Sequence, residues 1–185
     1  MSIDTEENMN EILVVVDYQN DFVDGALGFD KARELEEIIV SEVRDALSKG
    51  EKVFFTLDTH DDGYAETREG KHLPMPHCID GTDGHSLYGK TAEFSEESGV
   101  TLVKKSGFGS SSLPDIIKQT CGVPDTVRIC GVVTNMCVIA NAIVLQTAFE
   151  NADIRILEKA CASFDEKLHD EAVDVMRNMH MTIEE

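Results

Sequence analysis

Basic residues are scarce in this sequence. Lys and Arg number 16 against 36 Asp and Glu, a formal net charge of −20. A phosphate backbone would be repelled by such a surface, which argues against a nucleic-acid ligand and against docking on an anionic membrane. Long apolar runs are missing too; none approaches the roughly 20 residues that cross a bilayer. The stretch Met1 to Asn10 is polar and acidic, the opposite of a secretory leader, so a cytoplasmic protein is expected. Cysteines number 5, an odd count with no finger-like spacing. At this length and in that compartment a disulfide scaffold is not expected. No Gly-rich dinucleotide fingerprint follows the first apolar strand, and no P-loop occurs. Repeats, low-complexity tracts and linkers are also lacking, so residues 1–185 are read as a single domain.

What is present is an alternation of short apolar runs and helical patterns. Ile12-Leu13-Val14-Val15-Val16 reads as a central parallel strand buried on both faces. Apolar positions Ala32, Leu35, Ile38, Ile39, Val43 and Ala46 predict a helix over 31–49, closed by Gly50. Further strands are predicted at 52–57, 100–104, 127–130 and 152–157, with a sixth, edge strand over 179–183. Helices are predicted over 113–120, over 139–145 with Cys137 at its first turn, and over 164–178. Residues 61–99 show little periodicity; a connection this long inside a compact domain is usually functional or disordered, and its Pro74-Met75-Pro76-His77 segment favours function. The alternation predicts an α/β fold, three layers with a mostly parallel six-stranded sheet and helices on both faces.

Parallel strands point their C-terminal ends the same way, and ligands bind at that edge. Polar residues stand just past four strand ends: Asp17, Asp58 with His60, Lys105, and Cys137. Cys137 sits in Gly131-Val-Val-Thr-Asn-Met-Cys137-Val138, at a strand-to-helix turn. Free N–H groups and the positive helix end gather there, a setting that lowers a thiol pKa and supplies donors to an oxyanion. A cysteine chosen at random is more often inert core, but here an acid, a lysine and a cysteine converge.

These pieces resemble, in order and spacing, the isochorismatase-like cysteine hydrolases, and among them most the nicotinamidases. The matching stretches are Val-Val-Asp17-Tyr-Gln19-Asn-Asp21-Phe22, Asp58-Thr-His60, Leu73-Pro-Met-Pro-His77-Cys-Ile-Asp-Gly81-Thr82, Lys105-Ser-Gly-Phe108-Gly, and the Cys137 stretch itself. The resemblance implies that Cys137 is a nucleophile, Asp17 its proton acceptor and Lys105 the cation that orders both. It also implies a cis peptide at Val132-Val133 and an oxyanion hole of the Val133 and Cys137 N–H groups. Its spacing selects Lys105 over Lys104, three residues before Phe108. Asp58, His60 and His77 would be metal ligands, for Zn²⁺ or else Fe²⁺ or Mn²⁺. Glu69 would complete the set, with Glu66 and His72 as competitors. Asp21 would orient a metal-bound water or the His60 ring. The pocket is expected to include Phe22, Gln19 and Val132. No Trp is present, and Leu73-Pro74-Met75-Pro76 stands where many nicotinamidases carry an aromatic, so Phe22 is expected to supply that wall. The implied reaction is hydrolysis of a small amide by a homo-oligomer, with nicotinamide first. Another small amide or an N-carbamoyl compound is the alternative. A non-catalytic relative that binds a partner through its acidic surface is disfavoured by the intact Asp17, Lys105 and Cys137 set.

Overall fold

The computed structural model describes residues 9–185; most of the acidic stretch Met1 to Asn10 lies outside the described residues. Among the described residues six strands form one sheet: β1 (Glu11–Val16), β2 (Lys52–Asp58), β3 (Val100–Lys105), β4 (Thr126–Val132), β5 (Asp153–Ala162) and β6 (Thr182–Glu184). Their order across the sheet is β3-β2-β1-β4-β5-β6, and all neighbours pair in parallel. The chain runs outward from β1 on one side and returns to β4 on the other. That reversal opens a crevice at the C-terminal ends of β1 and β4, the usual place for a ligand in an open α/β sheet.

The strands form where β-branched residues run together. Ile12 to Val16 are fully buried, covered on both faces. Parallel neighbours require crossovers, here supplied by α3 (Glu36–Ser48), α5 (Leu113–Cys121), α6 (Ile139–Ala148) and α7 (Glu166–Asn178). Right-handed crossovers place α3 on one face and α5, α6 and α7 on the other. The helical spacing of Ile39, Val40, Val43 and Ala46 buries one stripe of α3. Asp165 caps α7 by accepting from Leu168 N–H, and Ala172, Val173 and Met176 form its buried face. Among the described residues no helix is long and apolar enough to cross a membrane.

Three predicted elements differ in detail. A single turn, α1 (Asn20–Val23), follows β1, and the 31–49 helix is two helices, α2 (Asp30–Glu34) and α3, hinged at Leu35. Strand β5 continues five residues past Leu157, with a register shift against β4 between Ile129 and Gly131. Glu158 and Lys159 lie at that irregularity, so polar residues there need not enter the core. The 61–99 connection carries short helical turns, including α4 (Arg68–His72), which Thr67 caps by accepting from Gly70 N–H.

Two residues in β4 show what the central strand demands. Gly131 has φ +113°, and a Cβ there would lie 2.2 Å from the Val16 carbonyl oxygen. Glycine therefore lets β4 approach β1 just below Asp17 and the Cys137 turn. Arg128, an apparent misfit in a buried strand, pairs with Glu11 at 2.7 Å, Glu42 at 2.8 Å and Glu51 at 2.7 Å. Its charge is thus satisfied inside the fold, away from the crevice.

Candidate active site

Asp17 follows β1 with φ +49°, in the left-handed region that Asp tolerates better than most residues. Its Oδ1 accepts a 2.6 Å hydrogen bond from Thr56 Oγ1 on β2. Lys105 ends β3, and its Nζ lies 2.6 Å from Asp17 Oδ2, 3.2 Å from Asp58 Oδ1 and 3.6 Å from Cys137 Sγ. A further 2.9 Å bond from Nζ to the Gly107 carbonyl fixes the ammonium. Strand alternation turns Lys104 the other way, onto exposed Asp80 at 2.7 Å. Lys105, Asp17 and Cys137 are thus brought together, and Lys104 is kept out.

Cys137 lies in a π-helical turn, Thr134–Val138, that runs straight into α6. The helix therefore begins earlier than the sequence pattern predicts. Thr134 Oγ1 meets His169 Nδ1 at 2.8 Å, and Ser163 Oγ donates to Asn135 Oδ1 at 2.7 Å, so the turn is held from α7 and from the end of β5. The Val132-Val133 peptide is cis.

One electrostatic expectation is overturned. The turn does not leave Cys137 with a depressed pKa. Burial pushes the thiol well up, the Asp17 and Asp58 charges add to this, and a hydrogen bond to Asp17 favours the protonated form; Lys105 works in the opposite sense. Burial and the neighbouring carboxylates thus favour the protonated thiol beside Asp17. Burial also raises the Asp17 pKa, against the pull of Lys105. Burial works to lower the Lys105 pKa, but Asp17, Cys137 and Asp58 hold it above its ordinary value. An Asp17 that takes the thiol proton must be ionised, so an activity that depends on it would be present above its pKa and lost below it. Because that pKa is raised, the acid limb of kcat/KM should fall above the usual carboxylate value of about 3.9. A limb at or below that value, read from a pH–rate profile, would count against Asp17 as the acceptor.

Beside this group lies a second cluster. The ligand atoms of Asp58, His60, Glu69 and His77 all lie within 4.8 Å of one another. His60 Nε2 is 2.9 Å and His77 Nε2 3.3 Å from Asp58 Oδ2, and His77 Nε2 is 3.7 Å from Glu69 Oε1. A tetrahedral ion with bonds of about 2.1 Å separates its ligand atoms by roughly 3.4 Å. Two imidazoles and two carboxylates at these spacings fit a divalent cation. His77 Nδ1 lies 2.9 Å from the Met75 carbonyl, which fixes the ring with Nε2 toward the cluster. Burial works to raise the Asp58 pKa, yet bonds from both imidazoles and the Lys105 charge hold it well below the ordinary range. Of the competitors for the fourth position, Glu69 joins the cluster. Glu66 and His72 do not, and His72 bonds to the Arg68 carbonyl instead.

Both clusters open on one cavity of about 820 Å³, with Cys137, His60 and His77 in its wall. Phe22 lines it and packs edge-on against His77 with ring centroids 5.4 Å apart. Gln19 and Val132, expected in the wall, are fully buried and do not line it. Gln19 instead pins Asp58: its amide accepts from Asp58 N–H at 2.7 Å and donates to the Asp58 carbonyl at 3.0 Å. Val132 points into the sheet core, and Val133 and Met136 face the cavity in its place. Asp21 reaches neither the His60 or His77 ring nor the cavity. It accepts from Cys78 N–H at 2.8 Å and so holds the segment that carries His77. Residues not anticipated from the sequence include Tyr64, whose ring lies 4.7 Å from His60 and 5.1 Å from His77, and Phe164 on the rim. Tyr64 is the one aromatic of the 61–99 connection placed within a turn of His60, the only signal that could have singled it out.

The sequence matches the isochorismatase domain over residues 11–185. It is 32% identical over 171 residues to an uncharacterized isochorismatase family protein, PncA, of Bacillus subtilis (strain 168), covering 87% of this chain and 91% of that one. The fold superposes on the crystal structure of nicotinamidase PncA from Bacillus subtilis with a TM-score of 0.85 at 27% identity, over 96% of this chain and all of that one. It also superposes on the pyrazinamidase/nicotinamidase of Streptococcus mutans UA159 with a TM-score of 0.84 at 30% identity, over 94% and 99% of the two chains.

Proposed function

The chain belongs to the isochorismatase family, and from that premise we propose that it hydrolyses the carboxamide of nicotinamide to nicotinate and ammonia. The observation that carries this reading is the position of Lys105 Nζ, 2.6 Å from Asp17 and 3.6 Å from Cys137, beside a two-His, two-carboxylate cluster on the same cavity. The solved relatives of similar shape are named as nicotinamidases, which supports the substrate.

Asp17 takes the thiol proton while Cys137 Sγ bonds to the amide carbon, and the carbonyl electrons move onto oxygen. The Val133 and Cys137 N–H groups would receive that oxyanion. Collapse of the adduct breaks the C–N bond, and Asp17 returns its proton to the departing nitrogen, which leaves as ammonia. The product on Cys137 is a thioester. Water, deprotonated by the same carboxylate, attacks it; nicotinate departs and the thiol is restored. Lys105 keeps its charge throughout and holds the acceptor and sulfur together. Asp58, His60, His77 and Glu69 would hold Zn²⁺, or Fe²⁺ or Mn²⁺, and a bound ion there would anchor the pyridine nitrogen. Phe22 and Tyr64 would flank the ring. The proposal includes action in the cytoplasm as a homo-oligomer.

Ammonia release from nicotinamide by the purified protein tests the reading, and no release with metal supplied would overturn it. Metal removal gives a second expected result. Dialysis against a chelator should raise KM at least about tenfold, and one equivalent of Zn²⁺ per chain should reverse it. Elemental analysis of His60→Ala should show that equivalent lost. A pocket of about 820 Å³ is roomy for one small ring. The alternative of another small amide or an N-carbamoyl compound therefore belongs in the same ammonia assay.

A further inference from the structure

Asn141 lies in α6 one turn beyond Cys137, is fully buried, and takes no part in the chemistry above. Its amide makes three hydrogen bonds. Nδ2 donates to the Cys137 carbonyl at 2.8 Å and to the Phe108 carbonyl at 3.0 Å, and Oδ1 accepts from Ser110 N–H at 2.9 Å. One side chain thus joins the nucleophile turn to the loop that follows Lys105. That loop presents the Gly107 carbonyl to Lys105 Nζ at 2.9 Å and places Phe108 on the cavity. Gly109 lets the loop lie flat on the helix, since a Cβ there would already sit 3.3 Å from the Ala140 carbonyl oxygen. The π-helical turn meets α6 at this point. The Cys137 carbonyl lies at that junction, and the Asn141 side-chain donor bonds to it there.

We infer that Asn141 is a positioning residue, the clamp that sets the Cys137 sulfur in register with the Lys105 ammonium. The inference rests on the reading of Cys137 as nucleophile. A displacement of about 1 Å at a reacting centre can cost up to roughly 100-fold in rate. Asn141→Asp keeps the acceptor for Ser110 but presents oxygen to two carbonyls; Asn141→Ser is too short to reach all three partners.

Both variants are compared with the native protein below their own melting temperatures. With bound Zn²⁺ unchanged, kcat for nicotinamide should fall roughly 10- to 100-fold while KM moves less than about threefold. Carbamidomethylation of Cys137 by iodoacetamide, followed by mass spectrometry, should slow at least about fivefold. Folded variants with native kcat and native Cys137 reactivity would overturn the inference, because a purely structural amide would change only the melting temperature. If the native protein releases no ammonia, the substrate reading fails alone, and alkylation still decides the role of Asn141. If neither variant folds, amide exchange in the native protein decides it. A Ser110 N–H far slower than those of Gly107 and Gly109 supports the clamp, and equal rates overturn it.

Discussion

Cys137→Ala should lose on the order of 10⁴-fold or more in kcat for ammonia release from nicotinamide, while the protein stays folded and keeps its metal. The reason is stoichiometric. A thioester needs a sulfur, and among the described residues that line the cavity Cys137 is the one cysteine. The change removes one buried sulfur and leaves Cβ as a methyl group beside a small cavity, a packing loss on the order of 1–2 kcal/mol. The Asp58, His60, Glu69 and His77 cluster does not include Cys137, so the metal equivalent and ligand affinity should survive. Retained turnover in Cys137→Ala would mean that water attacks the amide directly.

Lys105→Met should have the second largest effect, because it removes two things at once. The ammonium is buried between Asp17 and Asp58, with side-chain exposures of 2%, 0% and 4% for Lys105, Asp17 and Asp58. Without it, two carboxylates face each other in a dry crevice. Breaking a buried pair from one side costs about 3–5 kcal/mol. The sign with pH is fixed. Loss of the cation raises the folded-state pKa of Asp17 further above its unfolded value. The folded protein then binds more protons than the unfolded one, so the variant's stability rises as pH falls toward the ordinary carboxylate range. Chemical denaturation at neutral pH and at about pH 5 should show the deficit shrinking. In the rate, the loss of a fixed charge beside the developing anion should cost roughly 10²–10³-fold in kcat. A folded Lys105→Met with near-native kcat would remove the ammonium from the account.

Strand ends were the most legible part of the chain. Val14 to Val16 announce a two-sided strand, and the residue after such a strand must leave the sheet where Asp17 does. The same logic located Asp58 and the Lys104-Lys105 pair, and the spacing to Phe108 in the family resemblance chose Lys105. Local pattern was silent where tertiary contacts decide. Gln19 sits in a motif beside Asp17 and so looked like a pocket residue. Its amide is consumed by the Asp58 backbone, a partner on another strand. Val132 was displaced from the wall because β4 runs on through it, leaving Val133 as the first residue past the strand. The Cys137 pKa departs from the helix-start expectation for a related reason. A helix start is visible in sequence, but the burial and the two carboxylates that outweigh it come from β1 and β2. Phe164 looked like the beginning of a helix and stands on the cavity rim because β5 runs on to Ala162.

The thioester is the centre of the account, and acid quenching tests it most directly. Protein mixed with excess nicotinamide is stopped within the first turnovers and digested, and the peptide that carries Cys137 is weighed. The account predicts a nicotinoyl group on Cys137 that disappears as nicotinate accumulates. Ammonia released at full rate with Cys137 never acylated would contradict it.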